Sequence, residues 1–322
     1  MWVKNTDTFF LWLKKMNFSL IKSWLFDNKV FFVDDGMYNW AMKFKSHLNT
    51  PWESEFIENL VYWMDDKSKS SVINIVESMH DIIWNRNKII KSRKIDKNHN
   101  ITKEINKYLK SNTMKFPSWY YDDTVLYHKH WINDVPWIAE YTKWKDIIDC
   151  GAFVGDSALM FDNELHINRI FCLEPDNENF KKLEDTINRN NKSWKIIPLN
   201  IWAWLKKDSF YLQKSGAWSH LSKTEWDYKI HIDNIDNIVN KYSISPWIIK
   251  WDIEWFEYES IIGTEQTIRK FKPVLLISIY HTWKDFFEIK PLIDSRWLWY
   301  TFKIRQLKNN HPFADTILIA YI

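Results

Sequence analysis

From Lys145 to the end of the chain, short and nearly continuous apolar runs alternate with amphipathic segments. No other feature constrains the fold as tightly. The runs are Asp146–Cys150, Arg169–Glu174, Trp194–Leu199, Pro246–Asp252 and Pro273–Tyr280. Strands buried on both faces carry apolar residues at every position, whereas half-exposed strands alternate. Between the runs lie helix-like segments: Ser157–Leu165, Asn177–Asn190, Asp233–Lys241, Phe256–Lys270 and Trp283–Asp294. Ser209–Gln213 reads as an extra short strand. Leu298–Arg305 and Thr316–Ile322 read as two closing strands joined by a polar loop. Strand and helix in alternation predict an α/β fold with a mostly parallel sheet, covered on both faces and closed by an antiparallel hairpin.

The first third of the chain gives a different pattern. Phe56, Leu60, Val61 and Met64 follow helical spacing, as do Val72, Ile75, Val76 and Met79, so residues 53–110 read as helical. Arg86–Lys110 carries nine basic residues against two acids, the pattern of a solvated helical face. The expected division is a mainly helical region over 1–120 and an α/β domain over 121–322. Net charge is +3, too near neutral to argue for nucleic acid. No apolar run reaches the ~18 residues of a membrane span, and no signal-peptide pattern opens the chain. Cys150 and Cys172 fall inside strand-like runs and read as buried thiols of a reducing, cytoplasmic compartment.

The chemistry gathers at the strand-to-helix junctions. In IIDCGAFVGDSAL, Gly151 and Gly155 permit a tight turn and close approach of backbone to a ligand. The following helix offers free N–H groups. Such a loop suits several nucleotide-type cofactors, and it also suits a purely structural turn. Glu174 ends the second strand 174 − 151 = 23 residues later, the spacing of an acid on a ribose. Its bland alternative is a surface acid before a helix. In IIKWDIEWFEYESIIG, Asp252 ends a strand and Glu254 follows. Ligands of open α/β sheets bind outside the carboxyl ends of the strands, so these acids should share a crevice with Glu174. There they can position a hydroxyl, take a proton or hold a cation, although Asp252 also fits a helix cap. His281 ends the fifth strand and can serve as a base or as a hydrogen-bonded structural histidine. Tyr127, His128 and His130 precede the first strand, where they could cover a cofactor.

Four motifs, IIDCGAFVGDSALMF, IFCLEPDNENFKKL, IIKWDIEWFEYESIIG and the tail from KPVLLISIYH to ILIAYI, in this order over roughly residues 125–322, resemble the FkbM-type methyltransferases. The resemblance implies a Rossmann-like class I fold with S-adenosylmethionine as cofactor. It implies seven strands in the spatial order 3-2-1-4-5-7-6, the seventh antiparallel. It makes Asp149, Gly151, Ala152, Phe153, Gly155 and Asp156 the cofactor loop. Glu174, with Pro175 beside it, becomes the ribose acid, and Asn200 lies near the adenine. Asp252 and Glu254 occupy the family's D-x-E-G motif, with Asp252 close enough to contact cofactor as well. Glu254, Asp252 and His281 are the candidates for the base, no metal ligand is assigned, and the acceptor is a hydroxyl of a sugar, glycan or small molecule. Residues 1–120 match no family motif.

The chain departs from that pattern in a regular way. It holds 5 glycines and 22 tryptophans, whereas a globular chain of this length carries about 22 glycines. Trp255 stands where D-x-E-G has glycine, and Trp131 where a second family motif has it. Trp202, Trp204, Trp218, Trp297 and Trp299 also stand at turn-like positions. Some bacterial lineages read the codon UGA as glycine. A gene from such a lineage, translated with UGA as tryptophan, gives this composition while GGN-coded Gly151, Gly155, Gly216 and Gly263 survive. Two rival readings remain at this level: a nicotinamide-dependent oxidoreductase, and a non-catalytic interaction module on a degenerate fold. The loop is G-x-x-x-G rather than G-x-G-x-x-G, which counts against the first rival.

Overall fold

A computed structural model of the chain describes residues 30–31, 35–84, 90–91, 101–116, 121–215, 218–222, 228–296, 298–306 and 313–322. The N-terminal part contains β1 (Val30–Phe31), α1 (Asp35–Met42), α2 (Glu53–Val61), α3 (Asp66–Trp84), β2 (Ile90–Lys91) and α4 (Ile101–Ser111). The strand at 90–91 interrupts the continuous helical reading of 53–110 by pairing antiparallel with β1. Next come α5 (Asp123–His128), a 3-10 segment over Lys129–Asp134 and α6 (Ile138–Tyr141).

The remainder alternates as the sequence predicts: β3 (Asp146–Cys150), α7 (Asp156–Glu164), β4 (Ile170–Leu173), α8 (Asn177–Arg189) and β5 (Ile196–Leu199). A group of four strands follows: β6 (Trp202–Ala203), β7 (Asp208–Ser215), β8 (Trp218–Ser222) and β9 (Tyr228–Asp233). The chain ends with α9 (Ile235–Tyr242), β10 (Pro246–Trp251), α10 (Glu257–Ile262), α11 (Glu265–Phe271), β11 (Val274–Ser278), α12 (Trp283–Asp294), β12 (Thr301–Gln306) and β13 (Thr316–Tyr321).

The main sheet runs β12-β13-β11-β10-β3-β4-β5. Read from the other edge, this is the 3-2-1-4-5-7-6 order. β3, β4, β5, β10 and β11 are parallel, and β13 is antiparallel to both neighbours. The single helix predicted over 256–270 is two helices, broken at Gly263 and Thr264. The extra strand predicted at Ser209–Gln213 is β7, the centre of a second, four-stranded sheet ordered β6-β9-β7-β8.

Apolar runs arise here because successive strand residues face two different cores. Ile148, Cys150, Ile249, Trp251, Leu275 and Ile277 pack on one side with α1–α3 and α12. Ile147, Ile170, Cys172, Ile248 and Leu276 pack on the other with α7 and α8. Both cysteines are buried free thiols. Helix α3 buries Val72, Ile75, Val76, Met79, Ile82 and Ile83 along one stripe. Its N-terminus is tied to the edge strand: Asp65 pairs with Arg305 at 2.8 Å, and Ile304 N–H donates to Ser68 Oγ at 2.9 Å. The helices before residue 85 therefore share one continuous core with the sheet.

Among the described residues, six tryptophans hold a left-handed backbone. Trp63 (φ 59°), Trp131 (54°), Trp137 (60°), Trp144 (58°) and Trp299 (60°) lie near the helical left-handed region, and Trp255 reaches 94°. A bulky residue there is a conformational outlier that glycine is not. Trp63, Trp137, Trp144 and Trp299 are also at least 70% exposed. Trp202 and Trp204 behave differently: both pack edge-on against Phe256, at 5.5 and 6.1 Å. Trp297 and the side chain of Trp218 lie outside the described residues, as does Gly216.

Candidate active site

The strand order reverses between β3 and β10, and the crevice at their carboxyl ends is where an open α/β sheet binds its ligand. Cys150 ends β3, and residues 151–155 turn into α7 through three left-handed residues: Gly151 (φ 76°), Phe153 (49°) and Gly155 (88°). At Gly151 a Cβ would lie 1.9 Å from the carbonyl oxygen of Asp252. The glycine thus lets the β3 and β10 loops touch backbone to backbone. At Gly155 a Cβ would meet Leu183 Cδ1 at 2.8 Å, a flexible side-chain end. Ala152 is buried at the turn.

Beneath the turn sits a buried ion pair. Lys250 Nζ lies 3.0 Å from Asp149 Oδ1 and donates to the Gly151 carbonyl at 2.8 Å. Burial disfavours the ammonium, but the Asp149 and Asp252 carboxylates outweigh it and raise its pKa. Asp149, tucked under the loop, is thereby a support for it. Asp156, at the first position of α7, accepts from Asp122 N–H and its neighbour Ser157 N–H, each at 2.8 Å. Burial pushes its carboxyl up to about 6.

Glu174 follows β4 and reaches the same turn. Its two oxygens accept from Phe153 N–H and Asp176 N–H, each at 2.9 Å. Burial raises its pKa to about 8 against the lowering effect of these two bonds. Each oxygen keeps a lone pair for a further donor. Asn200 Nδ2 donates to the carbonyls of Glu174 and Pro175, at 3.0 and 3.3 Å, and so ties the exit of β5 to that of β4.

Asp252 leaves β10 with its N–H on Cys150 O at 3.0 Å, and its side chain is partly exposed at the crevice. Glu254 and Trp255 form a left-handed turn, φ 52° and 94°, that places the Glu254 side chain at the exposed rim. His281 comes from the end of β11 and is 3% exposed. Its Nε2 is 3.7 Å from Asp252 Oδ1, and Tyr280 Oη donates to the same oxygen at 3.4 Å. The predicted acids and histidine are thus brought together.

Sequence reasoning missed Glu257. This residue opens α10, is fully buried, and lies 3.0 Å from His281 Nδ1. Its Oε1 accepts from Ile253 N–H at 2.9 Å and its Oε2 from Trp255 N–H at 3.1 Å. The available signal was a glutamate in a first helical turn, able to reach back to free N–H groups. Also missed was the contribution of the N-terminal part. Trp40 stacks on His281 at 6.3 Å and donates to Tyr280 O at 2.7 Å, while Lys43 lies 3.4 Å from the centre of the Trp255 ring. His130 is buried against α7: its Nε2 lies 2.9 Å from Ser157 Oγ, and its ring stacks on Phe161 at 5.8 Å. Tyr127 and His128 are partly buried on the same segment.

Taken together, the site offers a glycine cradle, a buried carboxylate with spare acceptor capacity, and an Asp–His–Glu row at the ends of β10 and β11. These residues fit a nucleoside whose ribose hydroxyls need an acceptor. The Methyltransferase FkbM domain family matches residues 149–311, half of the chain, and the chain belongs to that family. A crystal structure of methyltransferase FkbM from Methylobacillus flagellatus KT is similar in fold, with a TM-score of 0.57 at 20% identity. The alignment covers 90% of this chain and 62% of that one, so the present chain spans less than two thirds of that relative's length. Weaker structural matches include an O-methyltransferase from Bacillus cereus in complex with SAH (10% identity, 70% of this chain and 91% of that one, TM-score 0.42). Another is a putative O-methyltransferase from Klebsiella pneumoniae (8%, 70% and 90%, TM-score 0.40). No curated protein sequence matches the chain. Among the described residues no helix is long and apolar enough to cross a membrane.

Proposed function

We propose that the chain is an S-adenosylmethionine-dependent O-methyltransferase acting on a hydroxyl of a sugar, glycan or other small molecule. The observation that carries this reading is the convergence of three loops. Gly151 touches the backbone of Asp252, and Phe153 N–H bonds the carboxylate of Glu174. A nucleoside lying across that edge would meet a ribose acceptor in Glu174 and open backbone at the glycines. S-adenosylmethionine supplies an electrophilic methyl carbon, and transfer is an in-line displacement in which alignment provides much of the rate. Asp149 and Lys250 keep the 151–155 turn in place from below. Asn200 fixes the backbone beside Glu174, near where an adenine would follow the ribose. Asp252 and His281 face the position of an acceptor hydroxyl, whose proton must leave as the new O–C bond forms. Glu254, at the rim, is placed to orient the acceptor. Helix α1 and the residues after it cover this side, with Trp40 and Lys43 over it.

The test is calorimetric titration with S-adenosylhomocysteine and, separately, with NAD. Binding of the first and not the second supports the reading. Binding of NAD alone would transfer the site to a nicotinamide-dependent oxidoreductase.

A further inference from the structure

We propose that Glu257 is a positioning residue that holds the imidazole of His281 with Nδ1 toward itself and Nε2 toward Asp252 and the acceptor. The inference rests on the methyl-transfer reading for its purpose, but its geometry stands alone. One carboxylate makes three contacts at once. It takes the N–H groups of Ile253 and Trp255, which fixes the turn carrying Asp252 and Glu254, and it lies 3.0 Å from His281 Nδ1. A neutral imidazole with its proton on Nδ1 leaves Nε2 as the acceptor. Nε2 is the nitrogen that points to Asp252, at 3.7 Å. The groups facing the ring are Asp252, Glu254 and Glu257 from the β10–α10 turn, Asp285 from α12, Tyr280 from its own strand end, and the stacked Trp40 with Lys43 nearby from the α1 side. Burial opposes a charged ring here. The charge of Glu257, 3.0 Å away, followed by those of Asp252 and Asp285, overcomes it and raises the histidine to about 9. In methyl transfer the acceptor oxygen attacks the methyl carbon, the carbon–sulfur bond breaks with its electron pair going to sulfur, and the hydroxyl proton passes to Asp252, or to Nε2 only where the ring is neutral, above about 9.

Histidine-selective NMR titration of the cofactor-free protein tests the assignment. In the parent, His281 should titrate near 9, and above that pH the neutral ring should carry its proton on Nδ1. In Glu257→Gln the titration should fall toward the ordinary ~6.5, whereas Asp252→Asn should lower it less. An unchanged titration in a folded Glu257→Gln protein overturns the proposal. Should that variant not fold, the parent tautomer still decides, since a proton on Nε2 above the titration also overturns it. Failure of S-adenosylhomocysteine to bind would sink the proposed function and leave these readings intact.

A second inference comes from an independent observation, the backbone angles. We infer that positions 63, 131, 137, 144, 255 and 299 carry glycine in the protein as its organism makes it. All six hold φ between 54° and 94°, and each such site strains a bulky side chain by about 1–3 kcal/mol. Four of them also leave an indole at least 70% exposed to water. Trp63, Trp137 and Trp144 lie outside any motif that the family resemblance covers. At position 255 the change alters the site, because the indole now lines a cleft with Lys43, Glu259, Thr282 and Asp285. Glycine there would widen that cleft, while the backbone N–H that Glu257 holds would remain. Codons in the gene and peptide masses of protein isolated from its own organism decide the matter. TGA codons with glycine masses at these six positions are expected; TGG codons with tryptophan masses overturn the inference.

Discussion

Replacing Gly151 by alanine probes the contact on which the site is built. The added methyl would sit 1.9 Å from the Asp252 oxygen and 2.8 Å from its carbonyl carbon. Ordinary contact begins at 3.4 Å, so the two loops must separate by roughly 1.5 Å or the strands must shift, at a cost of about 1–3 kcal/mol. The left-handed φ of 76° adds roughly 1–2 kcal/mol for any residue with a Cβ. The sum, about 2–5 kcal/mol, is a large part of the ~5–15 kcal/mol that stabilises a typical domain. Gly155→Ala is the internal comparison. Its φ of 88° carries the same conformational cost, but its obstruction is the mobile end of Leu183. Urea denaturation should therefore show a lower midpoint for Gly151→Ala than for Gly155→Ala, with similar slopes. Titration with S-adenosylhomocysteine on the folded Gly151→Ala protein should show at least a roughly tenfold loss of affinity, since 1.4 kcal/mol of misalignment is enough for that. The reasoning fails if Gly151→Ala is the milder of the two, or if it loses less than about 1 kcal/mol and binds as the parent does.

Other consequences follow from the same geometry. Glu174 sits at about 8 in the free protein and is mostly protonated at neutral pH; hydroxyls donating to its carboxylate would favour ionisation. Binding of S-adenosylhomocysteine at pH 7 should then release a proton, and calorimetry in buffers of different ionisation enthalpy should detect it; buffer-independent heats would refute the link. His281 is raised from 6.5 to about 9, so its contribution to stability is fully present below ~6.5 and is lost as pH rises through about 9. The parent should accordingly lose stability between those values, by on the order of 3 kcal/mol, and His281→Gln should flatten that slope; equal slopes in the two proteins would count against the raised value. Asp65→Ala removes one of the two acids on buried Arg305 while Asp134 stays at 2.6 Å. It should cost about 1–3 kcal/mol in a urea melt, and no change would mean that α3 is not anchored through this pair.

The sheet was legible because its strands are buried on two faces, and burial writes itself into sequence as runs such as those around Ile147–Ile148 and Leu275–Ile277. Glu174 and Asp252 were legible as acids at strand ends, since topology alone brings the carboxyl ends of parallel strands together. The four-stranded sheet was hardly visible. β6 has only two residues, and β7 and β9 mix polar with apolar residues, so no continuous apolar run announces them. Glu257 was hidden because its meaning depends on His281, 24 positions away and on another strand end. The approach of Trp40 to Tyr280 and His281 was out of reach for the same reason. No local period announces a contact between residues 240 apart. Trp255 was flagged by composition and by its departure from the family motif, and its φ of 94° gives that flag a conformational content.

A crystal structure of the protein bound to S-adenosylhomocysteine tests the central claim most directly. The ribose hydroxyls should lie within hydrogen-bond distance of Glu174, with the amino-acid end over Gly151 and the sulfur toward Asp252 and His281. A nucleoside found elsewhere, with Glu174 still bonded only to Phe153 and Asp176, would contradict the account.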